Sequence, residues 1–221
     1  MCIRDSVYGT PRGDPRLRRE ISRRAMRIGH ALSPDDVVIT NGCTEAFTLA
    51  LSAVARPGDT IAVESPTYFG FLHTLEVLGL KALELPTDPV DGIHIEAFAR
   101  LLDAAPVAAC LLSSSFGNPL GVSMPDARKR ELLALLARHE VPLIEDDIYG
   151  EIHFARERPT PFIALDGGAN TIYCSSFSKS LAPGYRVGWI APGRYAQQVV
   201  DRKLAFLSLI HISEPTRPER I

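Results

Sequence analysis

The sequence predicts an α/β fold, a three-layer sandwich in which helices cover both faces of a mainly parallel sheet of about seven strands. Two observations predict it. Short apolar, β-branched runs alternate with longer segments whose apolar residues recur every three to four positions, so strand periodicity and helix periodicity take turns along the chain. The polar residues with chemical potential follow the apolar runs directly, and ligands of open parallel sheets sit beyond the carboxyl ends of the strands.

Taken in order, Arg12–Arg27 has a helical pattern and is locally basic, with Arg12, Arg16, Arg18, Arg19, Arg23, Arg24 and Arg27 read as a solvated helical face rather than a nucleic-acid patch. Asp36–Thr40 (DVVIT) reads as a strand and Cys43–Ala55 as an amphipathic helix. Pro57–Ser65 reads as a turn and strand, Tyr68–Gly79 as a helix stopped by glycine, and Lys81–Thr87 as a strand. After the turn Asp88–Gly92, His94–Ala105 is helical, Ala108–Ser114 is a buried strand and Met124–Glu140 is a long amphipathic helix. Val141–Asp147, Thr171–Phe177 and Arg186–Pro192 complete the sheet, and Arg158–Asn170 reads as loop and turn.

The chain has 221 residues, 46% of them hydrophobic and 23% charged, with a formal net charge of -2, which is ordinary for a globular protein and makes no electrostatic case for nucleic-acid binding. No apolar run reaches the roughly 18 to 20 residues of a membrane-spanning helix, so no membrane partner is expected. Cys43, Cys110 and Cys174 are scattered and lack metal-type spacing, which suits a reducing, cytoplasmic setting better than a disulfide framework.

The two termini stand apart. Back-translated, Met1–Ser6 (MCIRDS) and the segment from Leu207 (LSLIHISEPTR) share codons read on opposite strands, and the shared run resembles a transposase adapter used to prepare sequencing libraries. Residues 1–6 and 207–221 are therefore set aside as adapter-derived, and 7–206 is expected to be one domain truncated at both ends.

Five groups follow the strands. TNGCTEAF opens a helix, so the amides of Gly42, Cys43 and Thr44, with the Thr44 hydroxyl, form a candidate anion site. SPTYFG brings Tyr68 to the mouth of the next strand, and SSSFGNPLG places Asn118 in a turn. LIEDDIYGE ends a strand in three carboxylates. Strand alternation puts Glu145 and Asp147 on one face and Asp146 on the other, so the three cannot serve one metal, and a single Asp146 facing a cationic group is the better reading, with Tyr149 close behind. SSFSKSLAPGYR gathers Ser176, Ser178, Lys179 and Arg186 at another strand end.

One cofactor type accounts for the whole set, a phosphorylated pyridine aldehyde. Lys179 is the side chain that forms an imine with an aldehyde. Ser176, Arg186 and the Gly42–Thr44 amides hold the phosphate, Asp146 pairs with the pyridine nitrogen, Asn118 and Tyr149 hydrogen-bond the ring hydroxyl, and Tyr68 stacks on the ring. No metal is required.

Those motifs in that order, SSFSKSLAPGYRVGW with NPLG, EDDIYGE, SPTYFG and TNGCTEAF, resemble the class I/II aminotransferases of the pyridoxal-phosphate superfamily. CSSFSKSLAPGYRVGWIAPGR and PLIEDDIYGEIHF are similar to the aminotransferase-like domain of MocR regulators, in which a GntR-type winged helix precedes the fold. The resemblance implies the large domain of the aminotransferase fold, with pyridoxal 5′-phosphate on Lys179. It implies amino-group transfer between an amino acid and a 2-oxo acid, or alternatively an effector-sensing role in a transcription regulator that meets DNA through an N-terminal domain lying outside this chain. Tyr8, in YGTPRGDPRLR, resembles the tyrosine that family members lend to the neighbouring subunit's phosphate, which implies a homodimer. The arginine that grips the substrate carboxylate in such enzymes lies in a C-terminal domain that this chain does not include, so the chain alone is expected to be inactive and to expose apolar surface.

Overall fold

The computed structural model describes residues 10–210. Fifteen named elements follow one another, and each arises where its local pattern demands. Helix α1 (Pro15–Ala25) starts at Asp14, whose carboxylate accepts from the amides of Arg16 and Leu17 ahead of Pro15. Strand β1 (Val38–Thr40) leads through Gly42 into α2 (Cys43–Val54). Then come β2 (Thr60–Ser65), α3 (Phe69–Val77), β3 (Lys81–Asp88), the two-residue β4 (Gly92–Ile93), α4 (Ile95–Ala104), β5 (Ala109–Ser113), α5 (Asp126–Arg138) and β6 (Leu143–Asp146). The five-residue α6 (Phe162–Asp166), β7 (Thr171–Ser176), β8 (Gly188–Ala191) and α7 (Ala196–Ile210) complete the chain.

The sheet has eight strands in the order β1-β8-β7-β6-β5-β2-β3-β4. The five central strands β7, β6, β5, β2 and β3 run parallel, whereas β8 is antiparallel to both β7 and β1, and β4 pairs antiparallel with β3. The α/β sandwich expected from the sequence is thus present, with β4 as an eighth strand too short to leave a periodic trace. Strand β2 connects to β3 on one side while β5 returns to its other side. The strand order therefore reverses between β2 and β5, which is where a crevice opens in such folds.

Alternation along the strands supplies both faces. Val63, Leu111, Ile144 and Ile172 pack under α2, α3 and α7, with Phe47 and Phe71 meeting edge to face at 5.1 Å. Ala62, Leu112 and Leu143 pack on the other side against Phe98, Leu132, Leu136 and Phe162 from α4, α5 and α6. A third cluster seats α1 on β8, where Ile21 and Ile28 meet Tyr173 and Trp189.

Two local expectations change. The stretch read as loop, Arg158–Asn170, contains α6, because Glu145 on β6 accepts from the amides of Phe162 at 2.7 Å and Ile163 at 3.0 Å and so supplies the cap that the local sequence lacks. The basic helix is not solvated throughout: Arg18 is buried and donates to the Pro34 carbonyl at 2.9 Å and to Asp35 at 3.1 Å. No helix among the described residues is long and apolar enough to cross a membrane.

Candidate cofactor site

The carboxyl ends of β2, β5, β6 and β7 converge on one cavity of ≈ 370 Å³, large enough for one small organic ligand. Tyr68 arrives from beyond β2, Ser113 and Asn118 from β5, Asp146 and Tyr149 from β6, Ser178 and Lys179 from β7, and Arg186 from the approach to β8; Cys43, Thr44 and Phe47 of α2 close one wall. Tyr68 itself is packed edge to face on Phe71 at 5.6 Å. Lys179 is exposed to the cavity mouth, its Nζ lying 5.8 Å from the centre of the Tyr149 ring. A larger concavity of ≈ 730 Å³ lies between α1, α5 and α6, but none of these strand-end groups reaches it.

The anion end is built by close backbone approach. Gly42 has φ 85°, and a Cβ there would lie 2.6 Å from Arg186 Nη2. Gly188 is equally constrained, since its Cβ would fall 2.4 Å from the Gly42 carbonyl carbon. Only glycine allows β8 to press against the α2 entrance in this way. Arg186 then donates to the Asn41 carbonyl at 3.2 Å from a left-handed backbone with φ 51°, a conformation that costs a non-glycine residue on the order of 1 kcal/mol and gathers at functional sites. Among the described residues no side chain caps the first turn of α2, which leaves that helix N-terminus open to an anion.

The hydroxyls divide differently from their order in the sequence. Ser176 is buried behind the cavity wall, where its Oγ accepts from the Ser178 amide at 3.2 Å. Ser178 lines the cavity, and its own Oγ is buried without a partner among the described residues. Ser176 and Ser178, two apart on a strand exit, look equivalent until the turn is built, which puts Ser178 in the cavity lining and leaves Ser176 behind it. Tyr8 lies outside the described residues.

Opposite Arg186, burial pushes the Asp146 carboxyl up to about 6, with the neighbouring Asp147 charge adding to the rise and the Cys43 thiol opposing it. Glu145 and Asp147 point to the other face. Asp147 accepts from Arg158 at 2.6 Å and from the Tyr173 hydroxyl at 2.7 Å, both on Oδ2, and from Ser114 Oγ at 3.3 Å on Oδ1. The split expected from strand alternation is therefore present, and the described residues contain no group of three or more His, Cys, Asp or Glu side chains able to hold a metal ion.

The cavity gathers an anion cradle, a buried carboxylate, an amine and aromatic side chains. A family model for aminotransferase class I and II matches residues 4–217. The chain belongs to the class I and II aminotransferase family.

Relatives within and beside this aminotransferase family differ in role. The uncharacterized HTH-type transcriptional regulator YjiR of Escherichia coli is 44% identical over 201 residues, a match that covers 91% of this chain and 43% of the regulator. Aromatic-amino-acid aminotransferase 1 of Thermococcus litoralis is 32% identical over 190 residues, covering 83% of this chain and 45% of that enzyme. Among solved structures, the α-aminoadipate aminotransferase LysN of Thermus thermophilus, complexed with N-(5′-phosphopyridoxyl)-L-leucine, superposes with a TM-score of 0.83 at 27% identity, covering 90% of this chain and 51% of LysN. The aminotransferase domain thus spans about half the length of the relatives it matches.

Proposed function

We propose that the cavity binds pyridoxal 5′-phosphate, that Lys179 is the amine that carries it, and that the longer protein containing this domain transfers an amino group between an amino acid and a 2-oxo acid. The observation that carries the proposal is the convergence of Lys179, Asp146 and Arg186 from three separate strand exits on one cavity. The residues fit the group. Arg186, Thr44, the unpartnered Ser178 hydroxyl and the open α2 N-terminus suit a phosphate. Asp146 suits a protonated ring nitrogen, Asn118 and Tyr149 suit a ring hydroxyl, and Tyr68 suits the ring face.

When bound, this cofactor supplies an electron sink for charge that develops on a substrate α-carbon. The protein's part is placement. Asp146 keeps a negative charge at the ring nitrogen, Arg186 and Ser178 anchor the opposite end, and Lys179 Nζ is the base that takes a proton from the substrate α-carbon. Ser176 supports this set indirectly by holding the Ser178 amide. By likeness to family members, a homodimer would bring Tyr8 of one protomer to the phosphate of its partner.

A second reading has its own support. The more similar Escherichia coli relatives are named transcriptional regulators, and this chain matches 43% of YjiR and 44% of YdcR. In that reading the same cavity senses an amino acid, and contact with DNA belongs to another segment of the longer protein.

Borohydride reduction of the longer protein with pyridoxal 5′-phosphate, followed by peptide mapping, is expected to mark Lys179. Labelling elsewhere, or none, defeats the cofactor assignment. Turnover of amino acids with 2-oxo acids separates the enzyme from the sensor, because a sensor takes up the label without steady-state transfer.

A further inference from the structure

We infer that Cys43 is a positioning residue for Asp146: its thiol pins one carboxylate oxygen and leaves the other to face a cationic ring nitrogen. This rests on the cofactor reading given under Proposed function and names a residue whose side chain had no part in it.

Cys43 Sγ donates to Asp146 Oδ1 at 3.1 Å, and the amide of Ile148 donates to the same oxygen at 3.2 Å. Among the described residues no donor reaches Oδ2, although Asp146 lines the cavity. The carboxylate is thus gripped on one side and open on the other. The grip is rigid because Cys43 is the first residue of α2, buried, and preceded by Gly42, which β8 and Arg186 hold in place.

A thiol is a weak donor, but a bond to an ionised acceptor inside a protein is strengthened by the charge and the low dielectric. The thiol also keeps its proton. Burial first, and the Asp146 charge second, push the Cys43 pKa well above its ordinary value, so Cys43 remains a donor throughout the range in which Asp146 titrates. Alanine at this position removes one of two donors to Oδ1, whereas serine retains a hydroxyl donor.

Among the described residues, the charged and titratable groups around Asp146 are Cys174 from β7, Glu64 from β2, Asp147 next along the chain, and Tyr68, Lys179, Arg186 and Tyr149 in the cavity. None of them changes in a Cys43 substitution. A shift of the pH midpoint between variants therefore reports the thiol, because the altered cavity wall acts equally at every pH.

The pH dependence of pyridoxal 5′-phosphate affinity in the longer protein, followed by the absorbance of the bound cofactor, tests this. In the wild-type protein affinity is expected to fall as pH drops through the Asp146 titration, because a protonated Asp146 must lose its proton to face the ring nitrogen. Cys43→Ala loses a stabiliser of the carboxylate, so its fall should begin about half to one pH unit higher, and Cys43→Ser should bring it back. A side chain that merely fills space would weaken binding equally at every pH, and an unmoved midpoint in Cys43→Ala overturns the inference.

A cofactor-free measurement stands beside it. The infrared difference between wild type and Cys43→Ala isolates the Cys43 S–H stretch, expected at a hydrogen-bonded frequency that shifts on acidification through the Asp146 titration. A free-thiol frequency overturns the inference even if the cofactor binds. Absence of cofactor binding by the wild-type protein, with the S–H band at its hydrogen-bonded frequency, instead defeats the cofactor reading and this one with it.

Discussion

Glu145 and Asp146 end β6, Asp147 follows directly, and the three carboxylates meet different fates. Asp147 is saturated by the chain itself, through Arg158, Tyr173 and Ser114, and Glu145 by the two leading amides of α6. Among the described residues, Asp146 has donors on one oxygen only, and it lines a cavity. All three are buried. Burial of a carboxylate therefore does not distinguish a structural group from a binding group. What distinguishes them is whether the protein completes the set of partners or leaves a place for something else.

The sharpest way to break this comparison is Asp147→Ala. It strands the Arg158 guanidinium, whose side chain is 13% exposed, and the Tyr173 hydroxyl, and removal of one partner from a buried pair costs about 3–5 kcal/mol. Denaturant unfolding should show that loss; a change below about 1 kcal/mol would mean that Asp147 does not hold the fold as its contacts indicate.

Asp146→Asn should behave in the opposite sense. Stability is expected to stay level or rise, since a desolvated charge is removed, while pyridoxal 5′-phosphate affinity falls about a hundredfold, the equivalent of one charge-assisted contact. Equal affinity for wild type and variant would place Asp146 with its two neighbours.

Glu64 sharpens the comparison from a third position, since it is buried on β2 with neither a full set of partners nor a place in the cavity lining. Its one donor among the described residues is the Ser113 amide at 3.5 Å, and burial pushes its pKa up to about 7 against an ordinary 4.5. A carboxyl raised in the folded state contributes stability that is complete below 4.5 and is lost as pH rises through about 7. Glu64→Gln should remove that dependence and make the protein about 3 kcal/mol more stable than wild type at pH 8, with little difference at pH 4. Parallel stability curves for the two proteins across that interval would contradict the assignment.

Much of this was readable in the chain. Period-2 alternation along LIEDD places Asp146 opposite Glu145 and Asp147 without any coordinates, because successive side chains of a strand must point to opposite faces. Asn118, Tyr149 and Lys179 line one cavity, and each follows a recognisable apolar run by a few residues. Helix α6 was not readable, because its N-terminal amides are satisfied by Glu145, seventeen residues earlier in Phe162's case. Local composition, PFIALD between proline and glycine, looks like a turn. The burial of Arg18 escaped for a similar reason, since its acceptors on Pro34 and Asp35 are brought close only when α1 docks.

The sequence by itself determined the sandwich of helices around a parallel sheet, the polar groups at the strand exits, and the single carboxylate that turns away from its neighbours. These follow from periodicity and from short-range stereochemistry. Tertiary structure alone decided that β8 runs antiparallel and carries Arg186 onto Gly42, that Ser178 rather than Ser176 faces the cavity, and that the Cys43 thiol meets Asp146 across 103 positions. Those contacts join residues far apart in the chain, and no local pattern encodes a distance that only the packing of separate strands creates.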